Sequence, residues 1–464
     1  MAGPAARPAR PRPARRAAHR RPPPRLAGPL VRSTFAALRV RNYRLFAQGS
    51  LVSNVGTWMQ RVAQDWLVLA LTGSAGALGI TTGLQFLPIL LLSPIAGLVA
   101  DRFSKRRILA VTQLSMAVSA GLLGVLAITG WVTTWHVYVL AFVFGTGTAF
   151  DTPARQAFVN EMVDNDRLPN AVGLNSASFN LGRVIGPAVA GLLIAWQGSG
   201  VGATGWVILL NAGSYLAVIA SLWRMRAEEL RPTERLPRAK GQVRDGLRYV
   251  RSRPDLMLVM AVVFCAGTFG LNYQMTMALM ATEVYDKGAG EYGVLGSILA
   301  VGSLAGSLLA ARRKFSRQRL VLVSAVVFGV CTTAAGLMPS YLTFAVVLPA
   351  CGFSALTLVT AANAFVQMSV APQLRGRVMA LYLTIFMGGT PIGSPVLGWV
   401  AERFGARWTL IGGGALTVAG TLVAAAVFSR RQGLVITPHL TPHPHLAVTP
   451  RRVDRQIEET VTAA

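Results

Sequence analysis

The most regular feature of this chain is a series of long apolar runs separated by short polar segments. A helix needs about 20 mostly apolar residues to cross the hydrocarbon core of a bilayer. Twelve runs approach or exceed that length, at 46–71, 78–100, 108–129, 135–153, 174–196, 203–223, 256–280, 291–311, 319–337, 341–368, 378–400 and 407–429. Because lipid offers the backbone no hydrogen-bond partners, such runs are expected to be helices. The pattern therefore predicts an all-α polytopic membrane protein with twelve transmembrane helices.

The longest polar interruption, residues 224–254, divides the predicted spans into two groups of six. Within it Val243, Leu247 and Val250 recur at helical spacing among arginines, which predicts an amphipathic helix at the membrane interface. The segment 35–45 has a similar pattern and predicts a second one. The predicted domains are a disordered basic Pro/Arg tail (1–32), an N-terminal six-helix half (33–223), a cytoplasmic linker (224–254), a C-terminal six-helix half (255–430) and a disordered C-terminal tail (431–464).

A ten-residue repeat relates the two halves. Residues 94–103 read Pro-Ile-Ala-Gly-Leu-Val-Ala-Asp-Arg-Phe at the end of the second span, and residues 395–404 read Pro-Val-Leu-Gly-Trp-Val-Ala-Glu-Arg-Phe at the end of the eleventh. These spans run in opposite directions, so the copies end on opposite faces of the membrane. Transporters use opposite-facing repeats to build two alternating gates. The alternative is coincidence, since Pro, Gly and Ala are common in such helices.

Composition and charge agree with a membrane location. The chain is 53% hydrophobic and only 14% charged. Its net charge of +27 does not indicate nucleic-acid binding, because Lys and Arg cluster in the loops at 101–107, 224–254 and 312–319. Cytoplasmic loops carry such an excess, so both termini are predicted to be cytoplasmic. The bias toward Ala, Arg, Gly and Pro is typical of GC-rich coding and indicates a bacterial plasma (inner) membrane.

Nothing in the chain indicates an enzyme or a cofactor. Cys265, Cys331 and Cys351 lie in apolar runs with no metal-ligand spacing, so no metal site or disulfide framework is predicted. The phosphate-binding pattern GxxxxGK[ST] does not occur, so the sequence does not support ATP drive within this chain. A membrane-embedded enzyme would need a buried cluster of His, Asp and Glu, which the predicted spans lack.

The loop between the second and third spans carries the clearest motif. It reads Gly97-Leu-Val-Ala-Asp101-Arg102-Phe-Ser-Lys-Arg106-Arg107. The string resembles the signature loop of the major facilitator superfamily, with Ser104 where that family usually has Gly. The resemblance implies that Asp101 meets the start of the eleventh helix near Arg377 and holds the two halves together in the outward-facing state. An ordinary positively charged cytoplasmic loop is the alternative. The equivalent place after the eighth span, near 305–312, has no acid, which leaves a second copy of this gate in doubt.

Further strings extend this resemblance over about residues 33–430. They are Gly56-Thr-Trp58-Met-Gln60-Arg61-Val-Ala-Gln64-Asp65-Trp66, Asp151-Thr-Pro153-Ala-Arg155-Gln156-Ala-Phe158 and Arg183-Val-Ile-Gly186-Pro187-Ala-Val-Ala-Gly191. They are similar to the subgroup that includes the enterobactin exporter and the macrolide efflux proteins. The set Gly182, Gly186, Pro187 and Gly191 also resembles the antiporter signature of helix five, and a kinked, closely packed helix explains it equally well.

Charges inside predicted spans are the sharpest indication of function, because each costs a few kcal/mol unless it faces a cavity or a partner. In the first span Asn54, Trp58, Arg61 and Asp65 fall at helical spacing on one stripe. The stripe is widened by Gln60 and Gln64 and is expected to line a central cavity. Two interpretations stay open: Arg61 and Asp65 form a structural i,i+4 ion pair, or Asp65 takes up a proton as cargo leaves.

Other polar residues extend the candidate site. Arg183 is expected to partner a carboxylate or carbonyl rather than to bind cargo directly. Asp151 and Arg155 are expected either to meet the Asp101 loop or to be solvated. In the second half, the polar residues expected in the cavity are Asn272, Tyr273, Asn363 and Gln367.

Together these features favour a monomeric secondary active transporter whose partners are lipid, protons and a small molecule. The resemblance implies the two-half fold with inverted repeats and proton-driven efflux of a small amphipathic drug, siderophore or natural product by alternating access. Direction rests on the resemblance alone, so an importer or uniporter of the same fold stays open. A receptor or scaffold that keeps the fold without transport is the third alternative.

Overall fold

The computed structural model describes Gly3 and residues 35–231, 242–311, 317–432, 434–439 and 445–450. Twelve long helices dominate it, and we number them α1 to α12. They are α1 Arg41–Thr72, α2 Ala75–Arg102, α3 Lys105–Thr129, α4 Thr134–Met162, α5 Leu168–Trp196, α6 Val201–Arg224, α7 Pro254–Val284, α8 Ala289–Ala311, α9 Gln318–Gly336, α10 Tyr341–Ser369, α11 Pro372–Phe404 and α12 Ala406–Gln432. Helix α7 is irregular, because π-helical turns at Ala266–Gly270 and Met280–Val284 interrupt it.

The all-α, twelve-helix prediction is confirmed, with one qualification on apolarity. Ten of the described helices are long and apolar enough to cross a membrane. The other two, α1 and α4, are 32 and 29 residues long but more polar. Both carry charges that the structure places among other helices: Asp65 on α1 and Asp151 on α4 are buried. A helix face that is covered by other helices can carry polar and charged residues, since it does not meet lipid.

Consecutive helices run in opposite directions, so their connections gather at two ends of the bundle. We call the end that holds the α2–α3 connection the basic end, and the other the opposite end. Gly73 and Gly130 end α1 and α3 at the opposite end with φ of 58° and 77°, a conformation that favours glycine. Ser74 then starts α2 by accepting a hydrogen bond from the Ala77 amide at 3.0 Å. These short, defined turns keep neighbouring helices antiparallel.

The predicted linker helix exists at Gln242–Arg251. This helix packs on α11, because a Cβ on Gly246 would lie 3.3 Å from Arg377 Cβ. Val250 is buried, whereas Leu247 is exposed. Arg253, which follows it, donates to the Ser369 carbonyl oxygen at 3.4 Å. The linker therefore rests against the C-terminal half.

The second predicted interfacial helix is wrong. Between residue 35, where the continuous description begins, and α1 there is a single 3₁₀ turn, Ala36–Arg39, and Leu45 belongs to α1 itself. The Ala37 amide of this turn donates to the Asn170 side chain at 2.9 Å, which holds it against α5. The periodic pattern is the start of the first span rather than a separate element.

The C-terminal tail contains regular structure where disorder was predicted. Strands β1 (Leu434–His439) and β2 (His445–Pro450) pair antiparallel, with Ile436 opposite Val448. Both strands contain β-branched residues, which favour extended backbone. The basic tail 1–32 lies outside the described residues except for Gly3.

Candidate functional site

Two arginines and a tryptophan form the centre of the candidate site. The Arg61 guanidinium carbon lies 4.8 Å from the centroid of the Trp58 ring and 5.4 Å from that of Phe86 on α2. The Arg183 guanidinium carbon lies 5.9 Å from the same Trp58 ring. At these distances a cation is attracted to an aromatic face. The structure thus brings together three of the predicted site residues from α1 and α5.

Glycines on α5 allow this close approach. A Cβ on Gly186 would lie 2.6 Å from Trp58 Cβ, and one on Gly182 would lie 2.8 Å from the Asn54 carbonyl carbon. Any larger side chain would push α5 away from α1. Asn54 adds a hydrogen bond of 3.0 Å to Ser178 on α5. The helix-five motif therefore positions Arg183 beside the α1 stripe.

The two guanidinium groups have few protein partners. Arg183 donates to the Ser303 hydroxyl on α8 at 2.8 Å, so its partner is neither the carboxylate nor the carbonyl that was predicted. The Nε atom of Arg61 is enclosed by protein, and no described residue accepts a hydrogen bond from it. Buried donors of this kind are uncommon because they lose their hydration without compensation.

Asp65 connects the N-terminal half to the C-terminal half. Its Oδ2 atom accepts hydrogen bonds of 2.8 Å from the Gln274 amide on α7 and 2.8 Å from the Tyr292 hydroxyl on α8. Among the described residues no cation lies within ion-pair distance of it, so the predicted Arg61–Asp65 ion pair is not formed. Asp65 instead uses neutral donors to hold α1 against α7 and α8.

A second connection between the halves lies at the opposite end. Glu402, near the end of α11, accepts hydrogen bonds from the Ser74 hydroxyl at 2.5 Å and from the Gly76 amide at 3.0 Å. It thereby caps the N-terminus of α2, where backbone amides and the helix dipole favour a negative charge. Glycines bring these helices together: a Cβ on Gly79 would lie 2.5 Å from the Ser394 carbonyl oxygen.

Helices α5 and α8 form a similar seam. A Cβ on Gly191 would clash with the Ala289 carbonyl oxygen, and one on Gly293 would clash with that of Pro187. Ser297 donates to the Val184 carbonyl oxygen at 2.5 Å and accepts from the Ala188 amide at 3.2 Å. Val184 and Ala188 lie one helical turn apart on either side of Pro187, so Ser297 binds the α5 backbone around its proline.

The basic end has a different character. A cavity of about 610 Å³ lies between the α2–α3 connection and the end of α6; its lining includes Asp101, Arg102, Arg106, Arg107 and Trp223. Lys105 and Glu161 form a buried ion pair of 2.9 Å beside it. Among the residues that the structure describes, none would lie within 4 Å of a Cβ on Gly97 of α2 or Gly376 of α11. At this end those two glycines do not mark a close crossing.

Asp151 and Arg155 belong to a network inside the N-terminal half. They form an ion pair of 2.8 Å, Asp151 also accepts from Thr112 at 3.1 Å and Gln113 at 2.8 Å, and Arg155 donates to Ser50 at 2.9 Å. The predicted alternatives, a contact with the Asp101 loop or simple solvation, do not describe this arrangement. The pair ties α4 to α3 and α1.

Several residues predicted for the cavity are buried in helix packing. Gln60 accepts from Asn211 on α6 at 2.5 Å, and Gln64 is buried as well. Asn272 bonds within α7 and accepts from Ser394 on α11 at 3.3 Å, while the Tyr273 hydroxyl lies 2.6 Å from that of Thr332. The spacing of these residues in the sequence identified polar helix faces, but it did not show that neighbouring helices cover them.

Asn363 and Gln367 remain on an open face, joined by a hydrogen bond of 2.5 Å. Four other residues predicted for the centre, Asn54, Trp58, Arg61 and Arg183, are also partly exposed. The arrangement offers cations, aromatic faces and amides, which suits the binding of a small amphipathic molecule.

Comparison with known proteins fits this geometry. Residues 32–451 match the model of a major facilitator family described as transmembrane secretion effectors. The chain belongs to this family. It is 30% identical over 396 residues to the multidrug efflux pump Tap of Mycolicibacterium fortuitum, an alignment covering 83% of this chain and 92% of that one.

Two further likenesses support the assignment to the transmembrane secretion effectors. Macrolide efflux protein A of Streptococcus pyogenes is 25% identical, with 81% of this chain and 93% of that one covered. A crystal structure of a bacterial homologue of the human lysosomal transporter Spinster, inward-facing and unoccupied, superposes with a TM-score of 0.64 at 16% identity and covers 84% of this chain and 96% of that one. The protein is a multi-pass transporter of the major facilitator fold and not an enzyme.

Sequence reasoning missed the partners that complete the site. Tyr292 and Ser303 are ordinary residues of an apolar helix, and nothing in their spacing marks them. Glu402 carried a signal, because it stands in the 395–404 repeat where Asp101 stands in 94–103. The Lys105–Glu161 ion pair had no such signal in the sequence, since Lys105 lies within a run of basic residues.

Proposed function

We propose that this protein exports a small amphipathic molecule across a bacterial plasma membrane by alternating access, driven by proton entry. One observation carries the proposal. Hydrogen bonds join the two halves toward the opposite end, at Asp65 and at Glu402, whereas at the basic end a Cβ on Gly97 or Gly376 would have no atom of the described residues within 4 Å. A two-half protein closed at one end exposes its centre to one side of the membrane at a time.

We propose that the basic end lies in the cytoplasm. Arg102, Arg106 and Arg107 lie there together with the linker helix and its arginines. Cytoplasmic loops carry this excess of positive charge. In that orientation both termini are cytoplasmic, the state described is open toward the cytoplasm, and cargo reaches Trp58 and the two arginines from inside. The likeness to efflux proteins supports export as the direction of transport.

Asp65 is the proposed proton carrier. Its carboxylate is buried, and its two hydrogen-bond donors come from the other half. Opening the external end separates Asp65 from Gln274 and Tyr292, which exposes the carboxylate to external protons. A carboxylate that loses partners in one state and regains them in the other can couple proton binding to the conformational change.

Asp101 and Glu402 are the proposed gates at the two ends. They occupy matching positions in the ten-residue repeat, at opposite faces of the molecule. Glu402 caps α2 in the state described. Asp101 is proposed to hold the start of α11 when the basic end closes, as the family resemblance implies. With one such acidic residue at each end, each closed state has its own stabilising contact.

Transport in everted membrane vesicles tests the proposal. A pH-sensitive dye reports the acidic interior, and a panel of lipophilic compounds that includes a macrolide is added to vesicles with wild type, Asp65→Asn or Asp166→Asn. Asp166 is an exposed acid and serves as the matched control. We expect compound-dependent loss of the gradient with wild type and Asp166→Asn, and none with Asp65→Asn at equal protein levels. If no compound affects the gradient in wild type, proton-driven export is contradicted; transport by Asp65→Asn equal to wild type contradicts the role of Asp65 alone.

A further inference from the structure

The centre of the molecule has more positive than negative charge. Arg61 and Arg183 approach one aromatic residue, Trp58, at 4.8 and 5.9 Å. The one acidic side chain on this stretch of α1, Asp65, is turned toward Gln274 and Tyr292. Two guanidinium groups and one carboxylate leave an excess positive charge in the part of the centre that the structure describes.

The arginines also have unused hydrogen-bonding capacity. A guanidinium has five N–H donors. Nε of Arg61 is enclosed without a partner among the described residues, and Arg183 uses the neutral hydroxyl of Ser303. Leaving a buried cationic donor unpaired is costly, so such donors normally meet an anion or an ordered acceptor. Here the described part of the protein supplies neither within hydrogen-bond distance of Arg61 Nε.

We infer that Arg61 and Arg183 bind the anionic group of an amphipathic cargo, either a carboxylate, a sulfonate or a phosphate. Arginine matches the planar, paired oxygens of such groups, and its attraction to them increases where water is excluded. Trp58, Phe86 and Phe179, whose ring lies 5.7 Å from that of Trp58, offer apolar contacts beside the charge. This inference rests on the proposed export function for its statement that the anion belongs to cargo.

A pair of dyes that differ only in charge tests it. 8-Anilino-1-naphthalenesulfonate carries a sulfonate, and N-phenyl-1-naphthylamine is the same ring system without it. Both become fluorescent in apolar surroundings, so each is titrated into the full-length protein in phosphatidylcholine nanodiscs, with empty nanodiscs subtracted. The variants are Arg61→Gln, Arg183→Gln and Arg183→Lys, and the matched control is Arg224→Gln, an exposed arginine at the end of α6.

We expect wild type and Arg224→Gln to bind the sulfonate more tightly than the neutral dye. Arg61→Gln and Arg183→Gln should each weaken sulfonate binding about tenfold or more, as expected for a lost hydrogen bond to a charged group, and leave binding of the neutral dye unchanged. Arg183→Lys should retain part of the selectivity. Equal binding of both dyes by wild type, or loss of both together in the Gln variants, overturns the proposal.

Competition with inorganic phosphate distinguishes a cargo site from a site for a small inorganic ion. Phosphate, titrated at constant ionic strength, should displace the sulfonate only weakly, because it lacks the apolar part that the aromatic rings contact. Tight displacement would identify a small-ion site and overturn the assignment to cargo.

The dye titrations measure binding and require no transport. Selective binding by a protein that leaves the vesicle pH gradient intact contradicts export alone, whereas gradient loss without sulfonate selectivity contradicts the anion site alone.

Discussion

Lys105 and Glu161 form a well-enclosed ion pair away from the centre. Their charged atoms are 2.9 Å apart, and their side chains are only 10% and 7% exposed. Both groups have lost most of their hydration, so each depends on the other for compensation. The pair joins the start of α3 to the end of α4, close to the end of α2 that carries Asp101. It therefore holds the α2–α3 connection in place within the N-terminal half.

Glu161→Gln should lower the free energy of unfolding by about 3–5 kcal/mol, because it leaves the Lys105 ammonium buried without a counter-charge. Adding Lys105→Met should recover much of this loss, since the unpaired charge is then absent. Denaturant unfolding in one fixed detergent measures both. The control is Glu229→Gln, whose partner Arg226 lies 3.0 Å away in a pair that is 61% and 41% exposed; it should cost less than about 1 kcal/mol. Equal costs at Glu161 and Glu229 would contradict this account.

At the scale of single residues, the sequence identifies charges better than partners. Arg61, Asp65 and Arg183 can be recognised because a charge within an apolar run is costly and therefore rarely accidental. The hydrogen bonds of Asp65 to Tyr292 and of Arg183 to Ser303 depend on how α8 packs against α1 and α5, which no local pattern encodes. Gln60 was predicted to line the cavity, but it packs against α6 instead. A polar face at helical spacing does not reveal whether a cavity or another helix covers it.

Small residues set the distances between helices of the two halves. Gly293 and Gly191 allow α8 and α5 to approach, and Gly79 and Gly398 do the same for α2 and α11. Helices that exclude water and lipid from such seams gain from van der Waals contact rather than from the hydrophobic effect. A single methyl group at these positions meets backbone, which cannot rotate away.

Gly293→Ala should therefore weaken the α5–α8 seam. The added methyl group would clash with the Pro187 carbonyl oxygen, and overpacking of this kind costs about 1–3 kcal/mol. Gly290→Ala, three residues earlier on α8, is the matched control, because its Cβ would lie 3.4 Å from Ala195 Cβ, close to ordinary contact. Unfolding midpoints in one detergent compare the two variants. A stability of Gly293→Ala equal to that of Gly290→Ala would contradict the proposed tight seam.

At the scale of elements, hydrophobic runs predict the helices because membrane spans must satisfy their own backbone. Predicted spans such as 341–368 agree closely with Tyr341–Ser369. Helices α1 and α4 can be more polar than the rest because other helices cover their charged faces. The π-helical turns of α7 have no recognisable pattern in the sequence. The segment 35–45 is mispredicted because the amphipathic start of a span and a separate interfacial helix have the same periodicity.

At the scale of the whole molecule, the ten-residue repeat relates the two halves. Residues 94–103 and 395–404 place an acid at opposite ends, and the second of these acids, Glu402, joins the halves at one end of the structure. The repeat therefore indicated an acid that joins the halves at the opposite end, and this acid lies at the end of α11 and not after the eighth span. The end at which Glu402 joins the halves could not be predicted from the sequence, because under the proposed alternating access either end can carry such contacts.

The central claim is that the two ends open alternately, and distances across each end test it most directly. Spin labels are attached to cysteines at Trp131 and Leu337, exposed at the opposite end, and at Arg167 and Arg319, exposed at the basic end, after the three native cysteines are replaced. Double electron–electron resonance in nanodiscs then compares acidic with alkaline buffer, with and without Asp65→Asn. The account predicts that one distance lengthens as the other shortens, and that Asp65→Asn removes this response. Distances that stay fixed, or that lengthen together at both ends, would contradict it.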